Sequence, residues 1–299
     1  MTFEATCAVV VTYKYPYQEL GTLLDLLVGR VGKLVLVDNN PGGANAERDA
    51  LLRRYSAVQL VDNGANLGLA TALNQGIRIA LDGGFGRVLL FDQDSRPGAD
   101  MLDRLVEAAD ALGHEAPPIA AVGPVIVDER LRGPLPFIRF CAGRVLKQQP
   151  APGGSSCLES DMLITSGCLI EAAVLREIGL MDERLFIDNV DLEWCFRARH
   201  AGYRLVGVEA AILQHRLGDR VRRVPFLQRN ILVHGPLRQY YITRNRIWLY
   251  WRPYIPWAWK LADFPRLLFK LVYFPLLVAP RGENLKMLAR GLWDGVWRR

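Results

Sequence analysis

The sequence predicts an α/β protein, with a mostly parallel sheet, helices on both of its faces and a helical C-terminal extension. Three observations predict it. Short apolar runs alternate with helix-spaced segments through residue 94, the rhythm of strands joined by crossover helices. Several of those runs stop at polar groups. The composition changes sharply near residue 216.

The elements follow in order. "TCAVVVTY" (6–13) is a strand, "YQELGTLLDLL" (17–27) a helix and "KLVLVDN" (33–39) a second strand. "NAERDALLRRY" (45–55) reads as a helix and "AVQLVDN" (57–63) as a strand, followed by the helical "LGLATALNQGIRIAL" (67–81) and the strand "RVLLFDQD" (87–94). Further strands are expected over 119–128, 161–171 and 204–215, a surface loop over 150–156, and a helix over 188–203 closed by Gly202 as C-cap. Ligands of such sheets bind beyond the carboxyl ends of the strands. Thr12 and Tyr13, Asp38 and Asn39, and Asp92 and Asp94 all fall at such ends, so three strands bring polar groups to one edge.

A chain of 299 residues with 51% hydrophobic and 23% charged residues has material for a sizeable core. The five cysteines, Cys7, Cys141, Cys157, Cys168 and Cys195, include no C-x-x-C pair and sit mostly in apolar surroundings. They read as free thiols of a reducing compartment, not as a disulfide framework or a zinc site. The N-terminus has an early acid and no basic segment, which argues against a cleaved signal peptide. No G-x-G-x-x-G follows the first strand, which argues against a dinucleotide-binding dehydrogenase. A nucleotidyltransferase would carry a glycine-rich, basic loop there, where this chain has "TYKYPYQEL".

Residues 216–299 hold 17 Lys and Arg against 4 Asp and Glu, whereas the first 215 residues hold 20 against 27. Six of the seven tryptophans lie in the last 52 residues. This sets an α/β unit over 1–215 apart from a basic, Trp-rich extension over 216–299. The longest uncharged stretch there, "LVYFPLLVAP", is far short of the ~20 apolar residues of a membrane span. "ENLKMLARGLWDGVWRR" places Leu285, Leu288, Leu292 and Val296 on one helical face, with Lys286, Arg290 and Arg298 elsewhere. That pattern suits the surface of an anionic bilayer. The competing expectation is a helical subdomain packed on the core. No nucleic-acid-binding module is present, so nucleic acid is not an expected partner.

Two acids at a strand end serve either as caps of the following turn or as contacts to a nucleotide and its divalent cation. The ordered motifs decide between these. "VTY", "VDN", "NLGLATALNQGI", "FDQDSRPG", "SGCLI", "LFIDNVDLEWCFRARHAGY", "LQH" and "PLRQYYITRN" together resemble glycosyltransferase family 2, over nearly the whole chain to about residue 252. The resemblance implies a GT-A fold, a single Rossmann-like domain, and inverting transfer of a sugar from a nucleotide diphosphate. "FDQDSRPG", "LFIDNVDLEW" and "YYITRN" look most like rhamnosyltransferases. The resemblance implies dTDP-L-rhamnose as donor and an enzyme of lipopolysaccharide core or O-antigen assembly acting on a lipid-linked saccharide, or one that makes a rhamnolipid. The basic extension is then expected to hold it on the cytoplasmic face of the inner membrane.

Carried over residue by residue, the resemblance gives Thr12, Tyr13 and Asp38 to the nucleobase and Asp92 to the ribose. Asn66, Gly68 and Asn74 go to the nucleotide-sugar pocket, with Asn66 open to a second reading as a helix N-cap. Asp94 and His215 would hold Mg2+ or Mn2+ on the diphosphate. Asp191 matches the general base, although Val190 replaces the first acid of the usual Glu-Asp pair, and Asp188 and Glu193 lie nearby. Ser166-Gly167-Cys168 shapes the acceptor side or forms a tight turn. Arg244 and Asn245 close over the diphosphate or belong to the membrane-facing side.

Overall fold

The computed structural model describes residues 3–42, 45–131, 133–141, 144–215, 220–224 and 229–298. The first half alternates as its sequence pattern dictates. β1 (Phe3–Thr12), α1 (Tyr17–Leu27), β2 (Val31–Asp38), α2 (Ala46–Arg54), β3 (Val58–Asp62), α3 (Leu69–Asp82) and β4 (Arg87–Asp92) follow one another. Then come the two-residue β5 (Arg96–Pro97), α4 (Met101–Leu112), β6 (Ile119–Val127), the hairpin of β7 (Phe137–Cys141) and β8 (Arg144–Gln148), and β9 (Cys157–Ser160). β10 (Cys168–Glu171), α5 (Ala172–Ile178), α6 (Val190–His200) and β11 (Arg204–Gln214) complete the sheet-forming part. A β12 (Arg220–Val224) and β13 (Arg229–Val233) hairpin leads to α7 (Pro236–Trp251), α8 (Trp257–Leu277) and α9 (Arg281–Trp297).

The main sheet runs β3-β2-β1-β4-β10-β6-β11-β5, with β9 also paired to β11. β1 to β4, β6 and β11 share one direction, while β10, β9 and β5 run against it. The expected strand over 161–171 is therefore only its last four residues. The preceding segment turns at Gly167, whose φ of +76° and contact distance of 2.7 Å from a built Cβ to Pro124 leave room for glycine alone.

Alternation along β1 separates two cores. Cys7, Val9 and Val11 pack with α3, α5 and α6, whereas Ala8 and Val10 pack with α1, α2 and α4. Each fully buried Leu or Val contributes about 1.5–3 kcal/mol through the surface it removes from water. The register then aligns the polar ends. Thr12 pairs with Asp38, Val11 with Asp92 and Asp38 with Asp62, so the carboxyl ends of four strands form one row.

α7 lies beyond the expected division at 215/216, and residues 216–219 at that division fall outside the described ones. Leu249, Ile255 and Trp259 are buried against Leu192 and Phe196 of α6, so the start of the extension is docked on the first segment. α9 packs on α7 through small residues: a Cβ at Gly291 would come within 2.7 Å of the Tyr240 carbonyl, and one at Gly295 within 2.8 Å of Ile247. This corrects the expected face of α9. Leu288 turns inward and is buried, while Leu285, Trp293, Val296 and Trp297 are exposed. α8 continues as one helix through Pro265 and Pro275, and exposes Trp257, Leu261, Phe264, Leu268, Val272 and Leu276 at three- and four-residue spacing, one face of a helix. Among the described residues no helix is long and apolar enough to cross a membrane.

Candidate active site

A cavity of about 600 Å3 opens at the carboxyl edge of the sheet. Tyr13 from the end of β1, Asp92 and Asp94 from the end of β4, Asn66 and Gly68 before α3, Asp191 of α6 and His215 after β11 all line it. These seven sequence-predicted residues are brought together from segments up to 200 residues apart. The parallel register does this, because every contributing strand ends at the same edge.

The turn after β4 answers what the intervening residue of Asp92-Gln93-Asp94 does. Gln93 accepts from the Tyr13 N–H at 2.5 Å and from Thr12 Oγ1 at 3.1 Å, and donates to the Tyr13 carbonyl at 3.0 Å. It ties the two central strands together where they end. Asp92 accepts from Ser166 Oγ at 3.0 Å, and Ser166 in turn lies 2.9 Å from Ser95 Oγ. The Ser166-Gly167-Cys168 turn thus orients Asp92, while burial pushes the Cys168 thiol up to about 12 and leaves it unreactive. Burial also raises the Asp92 carboxyl, with Asp94 adding to the rise and His215 opposing it.

His215 is 8% exposed, and its backbone N–H donates to Val127 at 3.1 Å. Its Nδ1 lies 3.2 Å from Asp94 Oδ1 and its Nε2 3.6 Å from Asp92 Oδ2. Burial lowers its pKa, but Asp94, Asp92 and Asp128 outweigh that and raise it. Nδ1 is buried without a hydrogen bond despite its closeness to Asp94. One imidazole nitrogen and one carboxylate form an acceptable donor pair for Mn2+ or Mg2+, whose remaining positions are filled by substrate oxygens and water. Among the described residues no group of three or more His, Cys, Asp and Glu forms a complete protein cage. The residues fit a cation shared with a ligand.

Three acids compete for the role of base, and their surroundings separate them. Glu193 is 1% exposed and saturated by Arg197, Tyr254 and Arg252. Asp188 is held in a two-point ion pair by Arg238 of α7, at 2.7 and 3.1 Å. Asp191 accepts from the Leu192 N–H at 2.8 Å and faces the cavity. Burial raises its carboxyl to about 6, with Asp92 and Asp188 adding to the rise. A carboxylate poised near neutrality is suited to general-base work.

Four predicted residues stand outside the cavity wall. Thr12 is fully buried and spent on Gln93. Asp38 is 1% exposed and holds Arg48 at 2.8 Å and the Tyr17 hydroxyl at 2.7 Å, so its carboxylate closes a buried ion pair where a nucleobase contact was expected. Asn74 exchanges hydrogen bonds with the Met181 backbone and donates to Glu183, which fixes α3 to the turn before α6. Arg244 donates to the carbonyls of Arg184 and Leu185, not into the cavity. Its neighbour Asn245 lies within 2.8–2.9 Å of the carbonyls of Leu185, Ile187 and Asp188. Those carbonyls flank a segment in which Phe186, Asp188 and Asn189 have φ of +61° to +65°, a left-handed geometry that costs non-glycine residues energy. Arg244 and Asn245 are therefore a clamp on the strained turn that presents Asp191.

Sequence reasoning missed Arg238, Tyr241 and Phe186, which also line the cavity. Phe186 stacks on Tyr241 at 4.7 Å, and its ring occupies the space a Cβ on Gly68 would need. The i, i+3 spacing of Arg238 and Tyr241 on α7 was the available signal.

Residues 7–154 match glycosyl transferase family 2. The chain is 29% identical over 292 residues to dTDP-rhamnosyl transferase RfbF of Shigella flexneri, covering 97% of this chain and 94% of the relative. It is 25% identical over 301 residues to N-acetylglucosaminyl-diphospho-decaprenol L-rhamnosyltransferase of Mycobacterium tuberculosis, covering 89% and 91%. Among solved structures, GalNAc-T7 with UDP, GalNAc and Mn2+ superposes with a TM-score of 0.59 at 14% identity. That match covers 97% of this chain, which spans 55% of the GalNAc-T7 chain. The fold is the GT-A fold.

Proposed function

The chain is a glycosyltransferase built on a family 2 domain, and we propose that it transfers L-rhamnose with inversion from dTDP-L-rhamnose to a hydroxyl of a lipid-linked saccharide. The observation that carries this is the meeting of Asp92, Asp94, His215 and Asp191 around one cavity at the sheet edge. The names of the two rhamnosyltransferase relatives support the donor, and that of the mycobacterial one supports an acceptor on a lipid diphosphate.

In this reading Tyr13 and Asp92 hold the nucleoside. Asp94 and His215 would hold Mg2+ or Mn2+, which supplies charge neutralisation for the departing diphosphate when bound. Asp191 takes the proton from the acceptor hydroxyl as that oxygen attacks the anomeric carbon from the side opposite the nucleotide. Gly68 and the Phe186–Tyr241 stack form the wall against which the sugar is positioned. The test is release of dTDP from dTDP-L-rhamnose with Mn2+ or Mg2+, against a panel of other nucleotide sugars. Turnover or thermal protection is expected with the rhamnose donor; a preference for another nucleotide sugar rejects the donor assignment.

The exposed stripe of α8, with Trp293 and Trp297 of α9, supports peripheral attachment to an anionic membrane on its cytoplasmic face. Lys286, Arg290 and Arg298 supply cations beside the apolar surface. Replacing exposed Trp257, Leu261 and Phe264 with Ser is expected to lower binding to phosphatidylglycerol-containing vesicles by at least about tenfold, since each removes buried apolar area worth more than ~1 kcal/mol. Flotation with those vesicles measures it, and unchanged flotation by the folded variant rejects the attachment.

A further inference from the structure

Asn39, just past the end of β2 and at the cavity wall, is 2% exposed and has every polar atom of its side-chain amide engaged. Its N–H donates to the Thr12 carbonyl at 2.8 Å, which fixes it to the end of β1. Its side chain serves the segment between β3 and α3. Oδ1 accepts from the Leu67 N–H at 3.0 Å and from Asn63 Nδ2 at 3.1 Å. Nδ2 donates to Asn66 Oδ1 at 3.0 Å and to the Gly68 carbonyl at 3.3 Å. Asn63 is held in turn by Gln75 of α3, whose Nε2 donates to its Oδ1 at 2.8 Å.

This chain of amides can run in one direction only. A backbone N–H always donates, so the Leu67 N–H fixes which atom of Asn39 is the oxygen. The Gly68 N–H, 3.0 Å from Asn66 Oδ1, does the same for Asn66. Neither amide can turn over without setting donor against donor. With its oxygen engaged twice on the inner side, Asn66 turns Nδ2 away from both partners. Asn66 is exposed and lines the cavity, and among the described residues no protein group accepts from that nitrogen. Asn39 thus fixes an open hydrogen-bond donor at the cavity wall.

We propose that Asn39 is a positioning residue for the donor sugar: it holds the Asn66 amide so that Nδ2 donates to a sugar hydroxyl, and it holds Gly68 in the wall beside that sugar. This rests on the reading of a nucleotide-sugar donor given above. The surroundings agree with it. The Ala70 N–H donates to the Phe186 carbonyl at 3.2 Å and the Phe186 ring packs over Gly68, so the segment held by Asn39 meets the turn that presents Asp191. A neutral NH2 suits a hydroxyl oxygen, whereas the charged diphosphate is assigned to the cation of Asp94 and His215. Because the amide is fixed before the ligand arrives, little side-chain freedom is lost on binding.

The experiment measures the dissociation constants of dTDP-L-rhamnose and of dTDP, with Mn2+, for the full chain, Asn39→Asp, Asn66→Ala and the double variant. Asn39→Asp keeps the oxygen that Leu67 and Asn63 need and sets a second oxygen against Asn66 Oδ1 and the Gly68 carbonyl. It and Asn66→Ala are each expected to weaken dTDP-L-rhamnose about tenfold, the worth of one hydrogen bond, and to change dTDP by less than about twofold. Since Asn39 acts through Asn66, the double variant should lie within about threefold of Asn66→Ala, far from the roughly hundredfold loss of independent sites. Equal weakening of dTDP and dTDP-L-rhamnose by Asn39→Asp makes its role merely structural and overturns the proposal, as does a fully additive double variant. Should Asn39→Asp not fold, Asn66→Ala decides alone, and unchanged affinity for the sugar nucleotide overturns the contact. Failure of the donor assignment shows separately: where another nucleotide sugar is preferred, the same split is read between that donor and its own nucleotide.

Discussion

Asp191→Asn is expected to lower kcat by about 10²–10⁴-fold, the range for loss of a positioned general base, while leaving donor binding near the wild-type level. The wild-type rate should also show an acid limb near pH 6, because burial raises this carboxyl to about 6 and its protonated form accepts no proton. The same shift has a stability consequence of definite sign. A carboxyl raised in the folded state favours folding fully below its unfolded value of 3.8, and that contribution is lost as pH rises through about 6. An asparagine carries no such loss. The variant should therefore melt with the wild type near pH 3.5 and above it at pH 8, by up to roughly 3 kcal/mol if the whole shift is realised. Melting curves across pH, read beside turnover, check both halves. A variant that loses activity and melts lower at pH 8 would show Asp191 to be structural.

Asp94→Asn is the second large effect, and it differs in kind. The substitution keeps the shape of the turn after β4 and removes the charge that pairs with His215 in the proposed cation site. Turnover should fall about 10²–10³-fold, equivalent to a few kcal/mol of lost stabilisation of the leaving diphosphate. Donor affinity should fall to the value measured without metal and cease to respond to Mn2+. Titration of dTDP-L-rhamnose with and without Mn2+ makes the distinction: Asp191→Asn keeps the metal response and Asp94→Asn loses it. Retention of a full Mn2+ response by Asp94→Asn would remove Asp94 from the cation site.

Much of the sheet was legible because its signals are local. β1 to β4 are apolar runs ending at Thr12, Asp38, Asp62 and Asp92, and α1, α2 and α3 carry helical spacing within a few residues of their observed bounds. The loss came where tertiary context decides. Nothing within 161–171 announces that only Cys168–Glu171 pairs, and antiparallel to β4, because that depends on the turn at Gly167 against Pro124. Proline ordinarily interrupts a helix, yet α8 passes through both Pro265 and Pro275. In the site, residues at strand ends were legible because a parallel sheet collects such ends on one edge. Arg244 and Asn245 were recognisable as a motif but not in their role, since the carbonyls they bind lie some sixty residues upstream. Asp38 shows the opposite failure. Its place at the strand end was read correctly, and its partner Arg48 sits ten residues away on α2, where sequence spacing gave no warning of an ion pair.

The clamp of Arg244 and Asn245 on the turn at 186–189 has a bearing on how the chain is handled. Asp191, the base in the proposed reaction, is presented by a turn whose geometry is secured from the far side of the composition boundary. A fragment ended at residue 215 would keep every side chain assigned to the nucleotide and the cation, yet leave that turn to relax. Truncation should thus separate recognition from turnover: the shortened protein is a candidate donor-binding module, and full activity reports that the last third of the chain is seated.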